Sequence, residues 1–159
     1  MERSIESRRI ISTLIGSTIL YVAALAVSLP CYALAAEQYA IFTLNNSIEE
    51  MSVLKARKLY RGKTKSINGQ RFELADWPAN STERKEFYRY LLGKNTAQMN
   101  AHWAALSFSG KARPPKEISD SQVNSLIRWM EKKPNRIGYA PIDAIPTNAN
   151  VLFVVSEEK

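Results

Sequence analysis

Apolar residues open the chain as one long run and then break into short stretches whose period keeps changing. The long run is Ile10–Leu29. Tyr39–Leu44 (YAIFTL) predicts a strand, and Asn45-Asn46-Ser47 breaks it and offers helix caps. Glu49 and Glu50 then suit a first helical turn, Ile48, Met51 and Val53 or Leu54 continue a stripe toward Leu59, and Gly62 ends it. Asn68-Gly69 is a turn signal, and Gln70–Ala75 alternates with Phe72 and Leu74 on one face, which predicts a strand. Asp76–Asn80 reads as a loop. Asn80 or Ser81 caps the next helix, with Glu83 placed as in a capping box; Phe87, Tyr90 and Leu91 line it and Gly93 closes it. Asn95 or Thr96 opens a helix with Met99, Trp103 and Leu106 on one face, broken by Gly110 and Pro114-Pro115. Ser119 or Asp120 caps a fourth, in which Val123, Leu126, Ile127 and Met130 follow helical spacing and Pro134 stops it. Ile137–Ala140 predicts a strand with Gly138 where backbone or ligand approaches, and Val151–Val155 a strand covered on both faces. Strands alternate with helices, so the expected class is an α/β sheet with helices packed on it.

The opening run changes the picture of where this domain works. Arg8 and Arg9 precede it, and Ala33-Leu34-Ala35-Ala36 follows it. Basic start, apolar middle and small-residue exit form the layout of a bacterial secretory signal. Residues 1–35 are therefore expected to be a signal peptide and 36–159 one exported domain. The alternative is an uncleaved inner-membrane anchor, since about 20 apolar residues can span a bilayer. In both cases the basic flank stays inside and the folded part faces the periplasm. Pro30 before Cys31 argues against lipid attachment, and with Cys31 in the leader the remaining chain can form no internal disulfide.

The 159 residues carry a net charge of +7, of which the leader accounts for one. A basic exported domain suits an anionic small molecule, anionic lipid or an acidic protein. The run Lys55, Arg57, Lys58, Arg61, Lys63, Lys65 holds only Tyr60 as an interleaved aromatic, and no nucleic-acid-binding motif accompanies it, so a solvated helix end and loop is the expectation and nucleic acid is not. His102 is the single histidine and lies in a helix beside Trp103, so neither a metal site nor Ser-His-Asp catalysis is indicated. No G-x-S-x-G surrounds a serine. The chain does not read as an enzyme, and no cofactor is expected.

Anion capture is the chemistry these residues suit. A helix N-terminus offers unpaired backbone N–H groups and about half a positive charge. Asn80, Ser81, Thr82 and Arg84 supply hydroxyls, an amide and a cation at one predicted helix start; Asn46 and Ser47 stand at another. Both follow predicted strands, and in open α/β sheets ligands collect beyond the carboxyl ends of the strands. Plain capping also explains such residues.

Leu59-Tyr60-Arg61-Gly62-Lys63 followed by Asn68-Gly69 and a strand resembles the L-[FY]-x-G-K…G segment of phosphate-binding periplasmic proteins of ABC transporters. Ser81-Thr82 with Arg84 and Phe87 is similar to their phosphate loop and its helix. Trp103, Phe108-Ser109-Gly110, Pro114-Pro115, Pro134 and Ile137-Gly138-Tyr139 continue the order, so the resemblance runs from about Tyr39 to Val155. It implies a type 2 periplasmic-binding-protein-like fold, reduced here to about one lobe with a central sheet flanked by helices. It also implies that inorganic phosphate or a similar oxyanion is the ligand. An ABC transporter membrane component or another envelope protein is the implied partner.

The loop departs from the R-x-D-G-S-G-T pattern of full-length members. With its serine set on Ser81, Trp77 stands for the arginine, Ala79 for the aspartate, and Asn80 and Thr82 for glycines. Arg84 could supply the lost charge and Asp76 the lost acceptor, though out of register. The leading expectation is an exported oxyanion-binding module; the alternative is a ligand-free protein-interaction or envelope-sensing module on the same fold.

Overall fold

A computed structural model describes residues 37–156. The expected signal sequence or anchor lies outside the described residues. No helix among the described residues is long and apolar enough to cross a membrane.

β1 (Tyr39–Thr43) is buried at every position and sits inside the sheet rather than at its edge. α1 (Val53–Tyr60) follows, then the hairpin of β2 (Ser66–Ile67) and β3 (Gln70–Arg71). Asn68 and Gly69 turn that hairpin with φ of 48° and 83°, the pair of positive values that a two-residue loop needs. β4 (Glu73–Asp76), α2 (Thr82–Leu92), α3 (Thr96–Phe108), β5 (Lys116–Glu117), α4 (Val123–Met130), β6 (Arg136–Pro141) and β7 (Asn150–Val155) complete the order. The five-stranded sheet runs β5-β4-β6-β1-β7. β4, β5 and β6 are parallel, while β1 is antiparallel to both β6 and β7.

Helices cover both faces. Successive residues of a strand point to opposite sides. A Cβ on Gly138 would lie 2.8 Å from Leu126 Cδ1 and 3.1 Å from Met130 Sδ, so α4 approaches β6 too closely for any side chain there. The glycine is explained by helix side chains, not by a ligand. On the other face the next residue, Tyr139, stacks on Phe87 of α2 with ring centres 3.5 Å apart. Tyr60 of α1 meets both rings edge-on, at 4.8 Å from Phe87 and 5.7 Å from Tyr139. This buried aromatic cluster fixes α1 and α2 on the sheet, each ring pair adding about 0.5–1.5 kcal/mol beyond the area it buries.

Several helix ends stand where the pattern places them. Ser81 caps α2 and Gly93 closes it in the left-handed conformation; Asn95 and Gln98 form a reciprocal capping box on α3. Others move. α1 starts at Val53 under Ser52, not at Asn46 or Ser47. Asn45 Oδ1 accepts from Ser47 N–H at 2.9 Å, which makes a tight Asx turn instead of a helix start. Ile48 and Met51 are buried, but through an irregular segment whose Met51 N–H donates to the Leu152 carbonyl at 2.8 Å. α4 begins at Val123 with no side-chain cap, because Asp120 instead accepts from Gln122 N–H and Ser125 Oγ. Glu83 is the second residue of α2, one short of a capping box. β7 is an edge strand with Val154 exposed, so it is not covered on both faces as its apolar run suggests.

Candidate functional site

The carboxyl end of β4 runs directly into α2. Asp76 closes the strand, Trp77 and Pro78 turn it, and Ser81 N–H donates to the Pro78 carbonyl at 2.9 Å. Ser81 Oγ accepts from Arg84 N–H at 3.2 Å, which leaves its own O–H free to donate. Thr82 and Glu83 are the first helical residues, and their N–H groups have no intrahelical acceptor. Asn80 and Thr82 are exposed at this mouth; Ser81 is 9 % exposed. Asn80, Ser81 and Thr82 are thus brought together at one helix tip beyond a parallel strand.

Arg84 is placed differently. It starts in the same turn but is buried, and its guanidinium points under the helix. Nη1 donates to the Trp77 carbonyl at 3.3 Å and to Glu117 Oε2 at 3.2 Å, and Nη2 donates to Asn100 Oδ1 at 3.0 Å. Nε lies 3.3 Å from Asp76 Oδ2 as an ion pair, without hydrogen-bond alignment. Its charge is therefore answered by two carboxylates before any ligand arrives.

Asp76 is the residue that sequence reasoning assigned to a loop. It is 3 % exposed. Its carboxylate accepts from Tyr88 Oη at 2.8 Å, from Trp77 N–H at 3.0 Å, and from the Tyr139 hydroxyl. Burial pushes this carboxyl above its ordinary value, while Arg84 and the three donors pull the other way without cancelling it. Burial, and next the charge of Asp76, push both tyrosine hydroxyls well up, so they stay protonated donors. The signal that could have found the cluster is an acidic residue ending an apolar strand, eight positions before a helix arginine. A cavity of about 320 Å³ lies against it, lined by Asp76, Arg84, Asn100, Trp103, Pro115 and Glu117 among others.

Asn46 and Ser47 are not part of this assembly. β1 runs against β6, and Thr43 pairs with Ile137, as Leu74 does. The end of β1 is therefore level with the start of β4, opposite the Ser81 tip. Asn45 confirms the level by donating to the Pro134 carbonyl at 3.3 Å, ahead of β6. The two predicted anion-binding helix starts cannot serve one ligand, because the antiparallel strand reverses one of them. Around the Ser81 end, other carboxylates gather. Tyr39 Oη donates to Glu86 at 3.1 Å, and the Glu37 carboxyl is pushed up by its hydrogen bond with Glu86, by burial and by the charges of Glu86 and Asp143. His102 Nε2 lies 3.0 Å from the Arg61 carbonyl, a place at the end of α1. No group of three metal-ligating side chains occurs among the described residues.

No protein-family model and no curated protein matches the sequence. Solved structures do match in fold. One is a putative phosphate ABC transporter substrate-binding protein with bound phosphate from Clostridium perfringens, at TM-score 0.55 and 16 % identity over 73 % of this chain and 44 % of that one. Another is an ABC-type phosphate transport receptor from Vibrio cholerae, at TM-score 0.53 and 12 % identity over 73 % of this chain and 45 % of that one. The chain has the substrate-binding-protein fold at about one lobe, spanning less than half the length of either match.

Proposed function

We propose that this chain is an exported oxyanion-binding lobe and that phosphate or a close analogue binds at the α2 tip. The observation that carries the reading is the Ser81-capped helix start beyond parallel β4, with the Ser81 hydroxyl and the Thr82 and Glu83 N–H groups free to donate. Asn80 and the Thr82 hydroxyl stand at the same mouth. The two fold neighbours, one holding phosphate and both described as phosphate transport proteins, support the kind of ligand. Arg84 holds the loop through Trp77 and Asp76 in this reading instead of touching the anion. Each charge-assisted hydrogen bond contributes about 1.5–3 kcal/mol, so three or four give micromolar affinity after ordering costs. A membrane transporter component facing the periplasm is the natural recipient.

Calorimetry on the full chain tests it. Phosphate, arsenate or sulfate is expected to release heat with micromolar affinity, and Ser81→Ala to weaken it about tenfold or more. Glu83→Gln removes a negative charge from the mouth and is expected to strengthen binding by a few-fold. Absence of heat with all three anions at millimolar concentration overturns the reading. The second reading, a protein-interaction module with an empty site, is favoured by the neutralised charge of Arg84 and by Glu37, Glu86 and Asp143 at the same end.

A further inference from the structure

At the opposite end of the parallel strands the surface opens into a groove of about 940 Å³. It begins at the first residues of β4, β5 and β6, where Phe72, Glu73, Lys116 and Arg136 line it. Lys65, Arg71, Arg113 and Lys116 stand on it exposed, and their side chains make no hydrogen bond or ion pair among the described residues. The acid in the groove, Glu73, is already answered by Lys133 and Arg136. Four cations are thus left uncompensated around one concavity. Gly110 lies on the same groove, and two residues before it Phe108 is 97 % exposed at the end of α3, with exposed Lys111 just beyond.

We infer that this basic face, together with exposed Phe108 two residues before the groove's Gly110, docks on an anionic phospholipid bilayer. Stable attachment to a lipid surface takes two signals, an apolar group that enters the headgroup zone and a cluster of cations. Both are present here, the apolar group two residues from the groove's Gly110. A polynucleotide fits less well, because it gains from open ring faces. Trp103 is 5 % exposed, and the Trp129 face is covered by the Arg136 guanidinium 4.2 Å above it. An acidic protein fits less well, because a protein anchor sits in an apolar surround that excludes water, which an almost fully exposed phenylalanine among lysines lacks. The rest of the molecule sets the orientation. Exposed Glu117 ends β5 and exposed Asp143 follows β6 at the far end, where an anionic surface repels them. Docked by the groove, the chain holds its α2 tip away from the bilayer, open to solvent. The inference does not depend on that tip binding an anion.

Co-sedimentation of the full chain with vesicles tests it. Phosphatidylglycerol vesicles are compared with phosphatidylcholine vesicles, because the apolar stretch Ile10–Leu29 can enter either lipid and the ratio isolates the charge-dependent part. The ratio is expected to exceed about tenfold at low salt, since each cation near the surface contributes about fivefold. It is expected to fall steeply as salt shortens the Debye length. Combined Lys65→Gln, Arg71→Gln, Arg113→Gln and Lys116→Gln is expected to bring the ratio close to one. Phe108→Ser is expected to lower phosphatidylglycerol binding about threefold while leaving its salt dependence in place. All five positions are exposed, and circular dichroism checks that the variants keep the fold. An unchanged ratio in the fourfold variant overturns the inference. So does tighter binding of an oligothymidylate or a polyglutamate than of the anionic vesicles at equal salt.

Discussion

β4 carries one carboxylate at each end, and the two behave as opposites. Glu73 opens the strand at the surface, 41 % exposed, with Lys133 Nζ at 2.6 Å and Arg136 Nε at 3.0 Å. Asp76 closes it in the core, 3 % exposed, with Arg84 at 3.3 Å and two tyrosine hydroxyls. Each faces cationic nitrogen, two cations at Glu73 and one cation with three neutral donors at Asp76, so both are supplied with partners that favour the ionised form. Water distinguishes them. Hydrogen bonds from Lys133 and Arg136 hold Glu73 below its ordinary value, because desolvation there is slight. Burial drives Asp76 the other way in spite of its partners. Two residues of strand, Leu74 and Ala75, separate a solvated ion cluster from a polar knot that ties strand, helix and β6 together.

The largest expected effect is the cost of cutting that knot. Asp76→Ala leaves Arg84, Tyr88 and Tyr139 without their shared acceptor in a buried site. Breaking a buried pair from one side costs about 3–5 kcal/mol. Glu73→Ala costs below about 1 kcal/mol, as exposed pairs do once solvent screening is counted. Urea unfolding of the two variants checks this directly. Equal losses would show that burial is not what separates the two ends.

A smaller effect sharpens the comparison by removing one donor and nothing else. Tyr139→Phe keeps the ring that stacks on Phe87 but withdraws the hydroxyl from Asp76. A hydrogen bond to a charged group contributes about 1.5–3 kcal/mol, and the same measurement reads it. Lys133→Met does the equivalent at Glu73 and is expected to cost a few tenths of a kcal/mol. Arg84 belongs to the knot, so Arg84→Met is expected to destabilise the fold before it says anything about an anion.

These two ends also mark what could be read from the residues alone. Ser81, Gly93, Asn95 and Asn68-Gly69 were legible because caps and tight turns depend on neighbours within a few positions. Asn46 and Ser47 misled, because the same Asn and Ser chemistry closes an Asx turn, and the apolar spacing of Ile48 and Met51 is met by an irregular segment tied to β7. The direction of β1 was the costlier gap. Period-2 alternation is blind to which way a strand runs, and only the pairing of Thr43 with Ile137 shows that the Asn46 turn and the Ser81 tip lie at opposite ends. The α2 tip was visible as a cap, whereas the inward course of Arg84 was not. Its partners Glu117, Asn100 and the Trp77 carbonyl come from three separate parts of the chain.

The finest test is pH, where the two carboxylates are expected to pull stability in opposite directions. Glu73 has a lowered folded value against an ordinary 4.5, so its contribution is complete above that value and is lost as pH falls through the lowered one. Asp76 has a raised folded value against an ordinary 3.8. Between the two the unfolded chain is ionised and the folded chain still holds the proton, so the proton-linked part of its contribution is complete below 3.8 and is lost as pH rises through the folded value, while its hydrogen bonds and packing remain. The stability gap between the parent and Glu73→Gln should therefore close on acidification. The gap between the parent and Asp76→Asn should instead shift against the parent on raising the pH. Urea midpoints followed from about pH 3 to pH 8 read both, with the Glu73 change staying below about 1 kcal/mol. If both gaps shift against the parent in the same pH direction, the two ends of β4 share one electrostatic environment, and burial of Asp76 is not the dominant influence on it.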